Sequence, residues 1–286
     1  MVDLVSTREV ARIAGVGASA VKRWADAGQL PCVRTAGGHR RFDRAEVERF
    51  LRAPAAGAPG GEATARGRGD AGPGAGDPWL ASLLGARDAL GLEGHLLAER
   101  ARLGAWWRVC EAAGAALARL GERWRAGQVS IVEEHLASER LSRALARVGE
   151  AVPLAPTAPG AMLACAEGDD HALGLALAEL VLREAGWATL WLGRRTPAEE
   201  LAGALRPGGI GLLAVSASSA STDAVGLRRQ ADQLGRACRA AGVALVLGGG
   251  GAWPERPRYG ARLRALEALH RLAVAERERV QAPQPA

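Results

Sequence analysis

The sequence predicts a multidomain chain of mixed α and α/β class, made of a small helical head, a four-helix bundle and a doubly wound parallel sheet. Three observations predict it. A Gly/Pro/Ala tract, Pro54 to about Pro78, contains no aromatic residue and no Val, Ile or Leu, and it divides the chain. Leu, Ala and Trp then recur at helical spacing over 79–150, and beyond 156 apolar runs of strand length alternate with helical patterns. The 286 residues are 48% apolar, enough material for more than one buried core. No apolar run approaches the roughly 18–20 residues of a spanning helix, which sets a membrane protein aside. Met1 to Ser6 lack a basic stretch leading into a long apolar run, so a cytoplasmic protein is expected. Cys32, Cys110, Cys165 and Cys238 lie far apart without a CxxC pair, which argues against a disulfide framework or a zinc site.

The head, residues 1–53, carries ten Lys or Arg against six Asp or Glu. The net charge of +6 permits an anionic partner without identifying one, so the charge has to be located. Ser6 and Glu9 form a capping box that opens a short helix with Val10, Ala11, Ile13 and Ala14 on its apolar face. Gly15-Val16-Gly17 breaks it, and a second helix runs from Ala18 to Ala27. Two short helices joined by a glycine turn make a helix-turn-helix. Gly37-Gly38, between two strand-like runs, reads as a hairpin turn, the wing. Asp43 caps a third helix, Arg44 to Leu51, with Val47, Phe50 and Leu51 inward. The second helix offers Ser19, Lys22 and Arg23 to a major groove. The hairpin offers Arg34, His39, Arg40 and Arg41 to phosphates or a minor groove. Trp24 and Phe42 are assigned to the core.

Residues 54–78 read as a mobile linker, because such a segment cannot bury enough surface to offset its ordering entropy. As a flexible coil it would span roughly 25–30 Å. In the bundle, 79–150, Gly127 reads as a helix C-terminal glycine, and Ser130 with Glu133 forms a second capping box. Trp124 therefore closes one helix while Glu134 and His135 sit in the first turns of the next, where all three can converge. On these residues alone, a core Trp124 and surface Glu134 and His135 are the favoured reading. His95, Trp106 and Trp107 are assigned to packing.

In the last segment, 156–286, runs at 161–166, 188–193, 211–216 and 243–248 read as buried parallel strands, with helices at about 172–185, 197–206, 223–241 and 261–276. Thr196-Pro197-Ala198-Glu199 reads as N-cap, first-turn proline and box-completing glutamate. Ligands on such sheets bind beyond the carboxyl ends of the strands, and three polar clusters stand there. In Glu167-Gly168-Asp169-Asp170-His171-Ala172-Leu173-Gly174, Asp169 can accept one ring N–H of His171 and raise the basicity of the other nitrogen. That arrangement suits a metal's axial ligand, although a solvated loop histidine fits the residues about as well. Gly174 would let the next helix start close to a ligand. The second cluster is Ser216-Ala217-Ser218-Ser219, and the third is Gly248 to Gly251, where backbone can approach a flat or phosphorylated ligand. The GxGxxG of a nicotinamide site is absent after the first strand.

Two resemblances follow from these motifs. The words VKRWADAGQLP and RTAGGHRRF resemble the winged DNA-binding domains of the MerR and excisionase families. Asp169-x-His171-x-x-Gly174, followed by Ser216 and the 248–251 glycines, resembles the cobalamin-binding Rossmann-like domain. A preceding bundle carrying Trp, nine residues, then Glu-His resembles the cap of methionine-synthase-like modules and of B12-dependent photoreceptor repressors of the CarH/LitR type. The order of head, bundle and sheet domain is that of the second group.

This resemblance implies that His171 is the lower ligand of cobalamin's cobalt. The nucleotide tail would thread past Ser216, Ser218, Gly248 and Gly249, with Gly174, Gly193 and Thr196 also contributing. Trp124, Glu134 and His135 would line the upper face, around an adenosyl group. It implies a DNA-binding transcriptional regulator, a repressor, in which adenosylcobalamin senses light. Photolysis would change self-assembly, as dimer or tetramer, and with it affinity for operator DNA. No catalysis and no membrane partner are expected. Photoreceptor members carry a histidine right after the bundle tryptophan; here that position is Arg125, and His135 is the candidate substitute. The other readings are a light-independent sensor of cobalamin or another tetrapyrrole such as a bilin, and a corrinoid carrier module of a methyltransferase or mutase. The DNA-binding head argues against the carrier.

Overall fold

The chain's elements follow from local signals that the computed structural model makes explicit for residues 3–14, 18–26, 30–35, 38–52, 77–205 and 209–282. These residues belong to two units, Met1–Gly67 and Arg68–Ala286. Residues 54–76, and with them nearly all of the expected linker, lie outside the described residues.

The head opens with a strand absent from the sequence reading, β1 (Leu4–Ser6), followed by α1 (Thr7–Ala14) and α2 (Ala18–Asp26). The Ser6–Glu9 box is formed reciprocally: Ser6 N–H donates to Glu9 Oε2 at 2.7 Å, and Glu9 N–H to Ser6 Oγ at 3.3 Å. β2 (Val33–Arg34) and β3 (Arg40–Asp43) form the expected antiparallel hairpin, and β1 pairs with β3 on its other side, giving the order β1-β3-β2. Asp43 Oδ1 then accepts from Ala45 N–H at the start of α3 (Arg44–Arg52). Val5, Val10, Val21, Trp24, Leu30, Phe42 and Val47 are buried together as the apolar core. Phe50 packs its ring against Trp24, with centroids 5.1 Å apart. The side chain of Leu51, Gly37 of the turn and Ala27 lie outside the described residues.

The second unit begins with four helices: α4 (Pro78–Gly85), α5 (Ala89–Leu103), α6 (Trp106–Arg125) and α7 (Ile131–Glu150). Asp77 caps α4 through Leu80 N–H, with proline at the first turn where its missing donor costs nothing. The α6–α7 corner is the predicted one. Gly127 takes the left-handed conformation (φ +71°), and the Ser130–Glu133 box opens α7.

The sheet domain adds β4 (Gly160–Cys165), α8 (Leu173–Glu184), β5 (Ala188–Gly193), α9 (Ala198–Ala204), β6 (Ile210–Ser216), α10 (Ala224–Ala241), β7 (Ala244–Gly248), β8 (Ala261–Arg262) and α11 (Leu266–Gln281). All five strands run parallel in the order β5-β4-β6-β7-β8. Side chains alternate along β4. Ala161, Leu163 and Cys165 enter the core shared with α8, α11 and the bundle, whereas Met162, Ala164 and Ala166 enter the opposite core against α9 and α10. Buried on both faces, the strands read as continuous apolar runs.

Two expectations are corrected here. Residue 261 opens the edge strand β8 and not a helix; the last helix starts at Leu266, since a two-residue strand is too short to show a period. Thr196 is not the cap of α9. Pro197 holds that position (φ −60°, ψ 144°) without any side-chain cap, and the one-residue shift leaves Glu199 in the first turn, where its charge complements the helix dipole.

A candidate corrinoid crevice at the switch point of the sheet

The strand order makes the site. Numbered within the sheet domain, the order is 2-1-3-4-5, and connections leave in opposite directions on either side of β4 and β6. Loops there part and open a crevice beyond the carboxyl ends, the usual place for a ligand. β4 delivers Asp169 and His171 to that point, and β6 delivers Ser216 and Ser218.

Asp169 is the organising residue of this cluster. It is buried, at 3% exposure, and every acceptor direction is used. Oδ1 accepts from His171 N–H at 2.8 Å and from the His171 ring nitrogen Nδ1 at 3.0 Å. Oδ2 accepts from Ser218 N–H at 2.5 Å and from the Ser221 hydroxyl at 2.7 Å. Burial opposes the charge, but the bonds from His171, Ser221 and Ser218 outweigh it and hold the carboxyl well below the usual aspartate range. With the proton of the neutral ring on Nδ1, facing Asp169, the lone pair belongs to Nε2. The His171 side chain is about half exposed, so the ring stands at the protein surface on a fixed stem. A carboxylate behind an imidazole in this way fixes the tautomer and raises the basicity of the other ring nitrogen. Ser218 Oγ also lies 3.2 Å from His171 Nδ1.

Beside this pair, a narrow crevice of about 60 Å³ runs between α8, the ends of β6 and β7, and the approach to α11. Gly174, Ser216, Gly248 and Gly249 of the expected set line it, together with Leu263, Arg264 and Leu266. The glycines matter sterically. A Cβ on Gly249, whose φ is +82°, would lie 2.2 Å from the Ala217 carbonyl oxygen and 3.0 Å from Ser216 Oγ, and one on Gly174 would lie 3.4 Å from the same hydroxyl. Ser216, itself buried, thus lies between Gly249, which tolerates only hydrogen, and Gly174, where a Cβ would just touch its hydroxyl. Neither Gly193 nor Thr196 is among the crevice-lining residues described. Gly193 ends β5, on the far side of β4, where its φ of +73° turns the chain against the Trp191 indole, and Thr196 lies in the connection to α9.

Trp124 lies half-buried in the last turn of α6, and Glu134 and His135 in the first turns of α7. Glu134 Oε2 pairs with His135 Nδ1 at 2.9 Å, and its Oε1 accepts from the Ser138 hydroxyl at 2.8 Å. Arg125 is exposed. Val132 and Leu136, one turn apart at the start of α7, are exposed apolar residues in the same stretch, and the sequence reading passed over them.

In the head, Lys22 is exposed on α2; Ser19 and Arg23 belong to the same helix, but their side chains lie outside the described residues. Arg34 lies opposite Arg40 across the hairpin, and Arg41 lies opposite Val33. Since facing residues share a face and neighbours alternate, Arg34 and Arg40 occupy one face of the wing and Arg41 the other. Exposed His39 sits in the turn, its N–H donating to Thr35 Oγ1.

Residues 4–54 match the family described as helix-turn-helix domain, and residues 108–148 match the one described as B12 binding domain. The first match covers the head, and the second covers most of α6 and α7 of the bundle. It is 39% identical over 107 residues to the HTH-type transcriptional repressor CarH of Myxococcus xanthus, covering 36% of each chain. It is 40% identical over 77 residues to the repressor CarA of the same organism, covering 27% of each. The matched part of the chain thus spans about a third of the length of these curated relatives. Among solved structures, the monomethylamine corrinoid protein of Methanosarcina barkeri superposes with a TM-score of 0.53 at 18% identity, over 70% of this chain and 94% of that one, a likeness of fold. No described helix is long and apolar enough to cross a membrane.

Sequence reasoning missed Ser221, which bonds Asp169, Arg264, which lines the crevice, and Arg262, whose guanidinium donates to the Gly249 carbonyl of that wall. Ser221 belongs to the serine-rich run after β6, so a signal existed; for the two arginines, on a strand of two residues and the loop after it, none did.

Proposed function

We propose that the chain is a DNA-binding transcriptional regulator, a repressor, controlled by cobalamin held at the switch point of the sheet. The observation that carries this reading is the His171 imidazole, oriented by buried Asp169 at the mouth of a glycine-lined crevice, in a chain whose head is a winged helix-turn-helix. The residues fit the group. His171 would supply the lower ligand through Nε2, and Asp169 would fix its tautomer. Ser216, Gly174, Gly248 and Gly249 would admit the nucleotide tail, and Trp124, Glu134 and His135 of the cap would cover the upper face. Bound adenosylcobalamin would supply a cobalt–carbon bond that green light cleaves. What the protein does with that event is a population shift. The ligand biases cap and assembly only by its different affinity for the two arrangements, and linked heads, as dimer or tetramer, gain operator affinity through effective concentration. Lys22 and its helix neighbours Ser19 and Arg23 would read the major groove, and Arg34, His39, Arg40 and Arg41 of the wing would hold the backbone. A regulator of this kind needs no catalytic turnover.

A second reading is favoured by one residue. Arg125, cationic and exposed, replaces the histidine that follows the bundle tryptophan in photoreceptor members. A light-independent sensor of cobalamin or another tetrapyrrole would not need that histidine. One experiment separates the two: absorption spectra and elution volume of the purified chain with adenosylcobalamin, in darkness and after green light. The photoreceptor reading expects both to change. A light-invariant spectrum with retained cobalamin supports the sensor, and no retained cobalamin removes both.

A further inference from the structure

Arg262, on edge strand β8, is the most heavily used side chain outside the motifs described above. One guanidinium holds four carbonyls: Nη1 donates to Leu247 and Leu263 oxygens, both at 3.2 Å, and Nη2 to Gly249 at 2.6 Å and Gly251 at 3.4 Å. Its Nε is buried without a partner. Among the described residues no carboxylate pairs with it; the neighbouring acid, Glu255, pairs with Arg264 instead. Burial first, and the nearby Arg264 second, lower its proton affinity against the opposing pull of Glu255. A guanidinium nevertheless keeps its charge in proteins. The glycine loop after β7 therefore carries an uncompensated cation beneath it.

That loop needs an external support. Gly249 is left-handed, and a Cβ on Gly251 would lie 2.5 Å from that of Ala217, so side-chain packing cannot order the turn. The rigid fork of Arg262 replaces it, fastening the two carbonyls from the β8 side. The residues flanking this fork, Gly248, Gly249, Leu263 and Arg264, are themselves walls of the crevice. Arg262 thus fastens the Gly249 and Gly251 carbonyls from the β8 side, beside the loop's bonds to Ala217 and the Trp253 indole, and adds its charge to that of Arg264 at this end of the crevice.

We propose that Arg262 is a positioning residue that determines specificity, making this crevice select corrinoids whose lower tail carries a sugar phosphodiester over corrinoids without a tail. This rests on the corrinoid reading above. The discriminated group is the anionic tail, recognised by the field of Arg262 and by the loop that its fork holds open.

The test uses the full chain and two probes, hydroxocobalamin and the tail-less cobinamide, titrated by quenching of tryptophan fluorescence, which does not require axial ligation. The wild type is expected to prefer hydroxocobalamin by about tenfold or more. Arg262→Gln and Arg262→Lys, the second retaining charge without the fork, are expected to lose most of that preference by weakening hydroxocobalamin about tenfold, with cobinamide binding unchanged. His171→Ala should retain the preference while altering the absorption spectrum. Wild-type discrimination persisting in either Arg262 variant overturns the proposal. Equal weakening of both probes by Arg262→Gln also overturns it, because the residue then serves only general stability. Wild type binding both probes equally removes this inference alone, whereas binding of neither removes the corrinoid reading with it.

Discussion

Asp169 concentrates more of the site's chemistry than any other residue. It is a buried carboxylate with four donors, two of them from His171. Asp169→Ala would leave the Ser218 N–H and Ser221 hydroxyl without their acceptor and free the imidazole to rotate. Orienting partners of metal ligands typically contribute 10–100-fold in affinity, so cobalamin binding measured by absorbance titration should weaken by about that factor. Gly249→Ala tests the crevice wall without touching the imidazole. Its left-handed φ and the clash with the Ala217 carbonyl should lower stability by about 1–3 kcal/mol in thermal unfolding and narrow the crevice. This part of the site was legible, because the spacing Asp169-x-His171-x-x-Gly174 places both partners on one loop. Arg262 was not, since one arginine among many carries no pattern, and its role arises from a strand pairing with β7.

At the scale of elements, the capping boxes were legible and β1 and β8 were not. A box is a local contract among four residues, whereas a strand of two or three residues exists only through its partner. Thr196 shows the same limit from the other side. Its motif matched in sequence, but Pro197 takes extended backbone and displaces the cap. The four helices followed from periodicity, yet what binds α6 to the sheet domain did not. Glu184, at the end of α8, accepts from the backbone N–H groups of Trp106 at 2.8 Å and Trp107 at 3.1 Å, and pairs with Arg100 at 3.3 Å. It caps a helix that starts 78 residues earlier in the chain. Glu184→Ala should cost about 1–3 kcal/mol, because two donors lose a largely buried acceptor, and chemical denaturation would measure it. His95 adds a pH dependence. Its ring packs edge-on against Trp79 with centroids 4.6 Å apart, and burial lowers its proton affinity from the ordinary value near 6.5. Protons then bind the unfolded state more readily. Stability should be full above about pH 6.5 and decline as pH falls below it toward the folded value, with His95→Gln flattening that slope in melts at pH 7 and 5.5.

Within the second unit as a whole, α8 joins the two halves of the account. Its first turns wall the crevice through Gly174, Leu175 and Ala178, and its last residue anchors the cap through Glu184. A crevice of about 60 Å³ holds roughly two waters, far less than the ~300 Å³ or more of a ligand pocket. A nucleotide tail entering here would press on the first turns of α8, and the Glu184 bonds to Trp106 and Trp107 offer a path from α8 to the start of α6. The layout was legible as bundle followed by alternating strands and helices, but this mechanical connection was not, because it depends on packing between distant segments. Hydrogen exchange should show protection on cobalamin loading at 248–252, at 173–178 and at the start of α6; protection confined to the crevice would break the transmission.

The most direct measurement is the absorption spectrum of the chain loaded with cobalamin at neutral pH, compared with that of His171→Ala. If the imidazole occupies the lower cobalt position, the wild type keeps the bands of a nitrogen-ligated corrinoid and the variant shifts to those of the form lacking that base. Identical spectra from the two proteins, with cobalamin bound in both, would contradict the account.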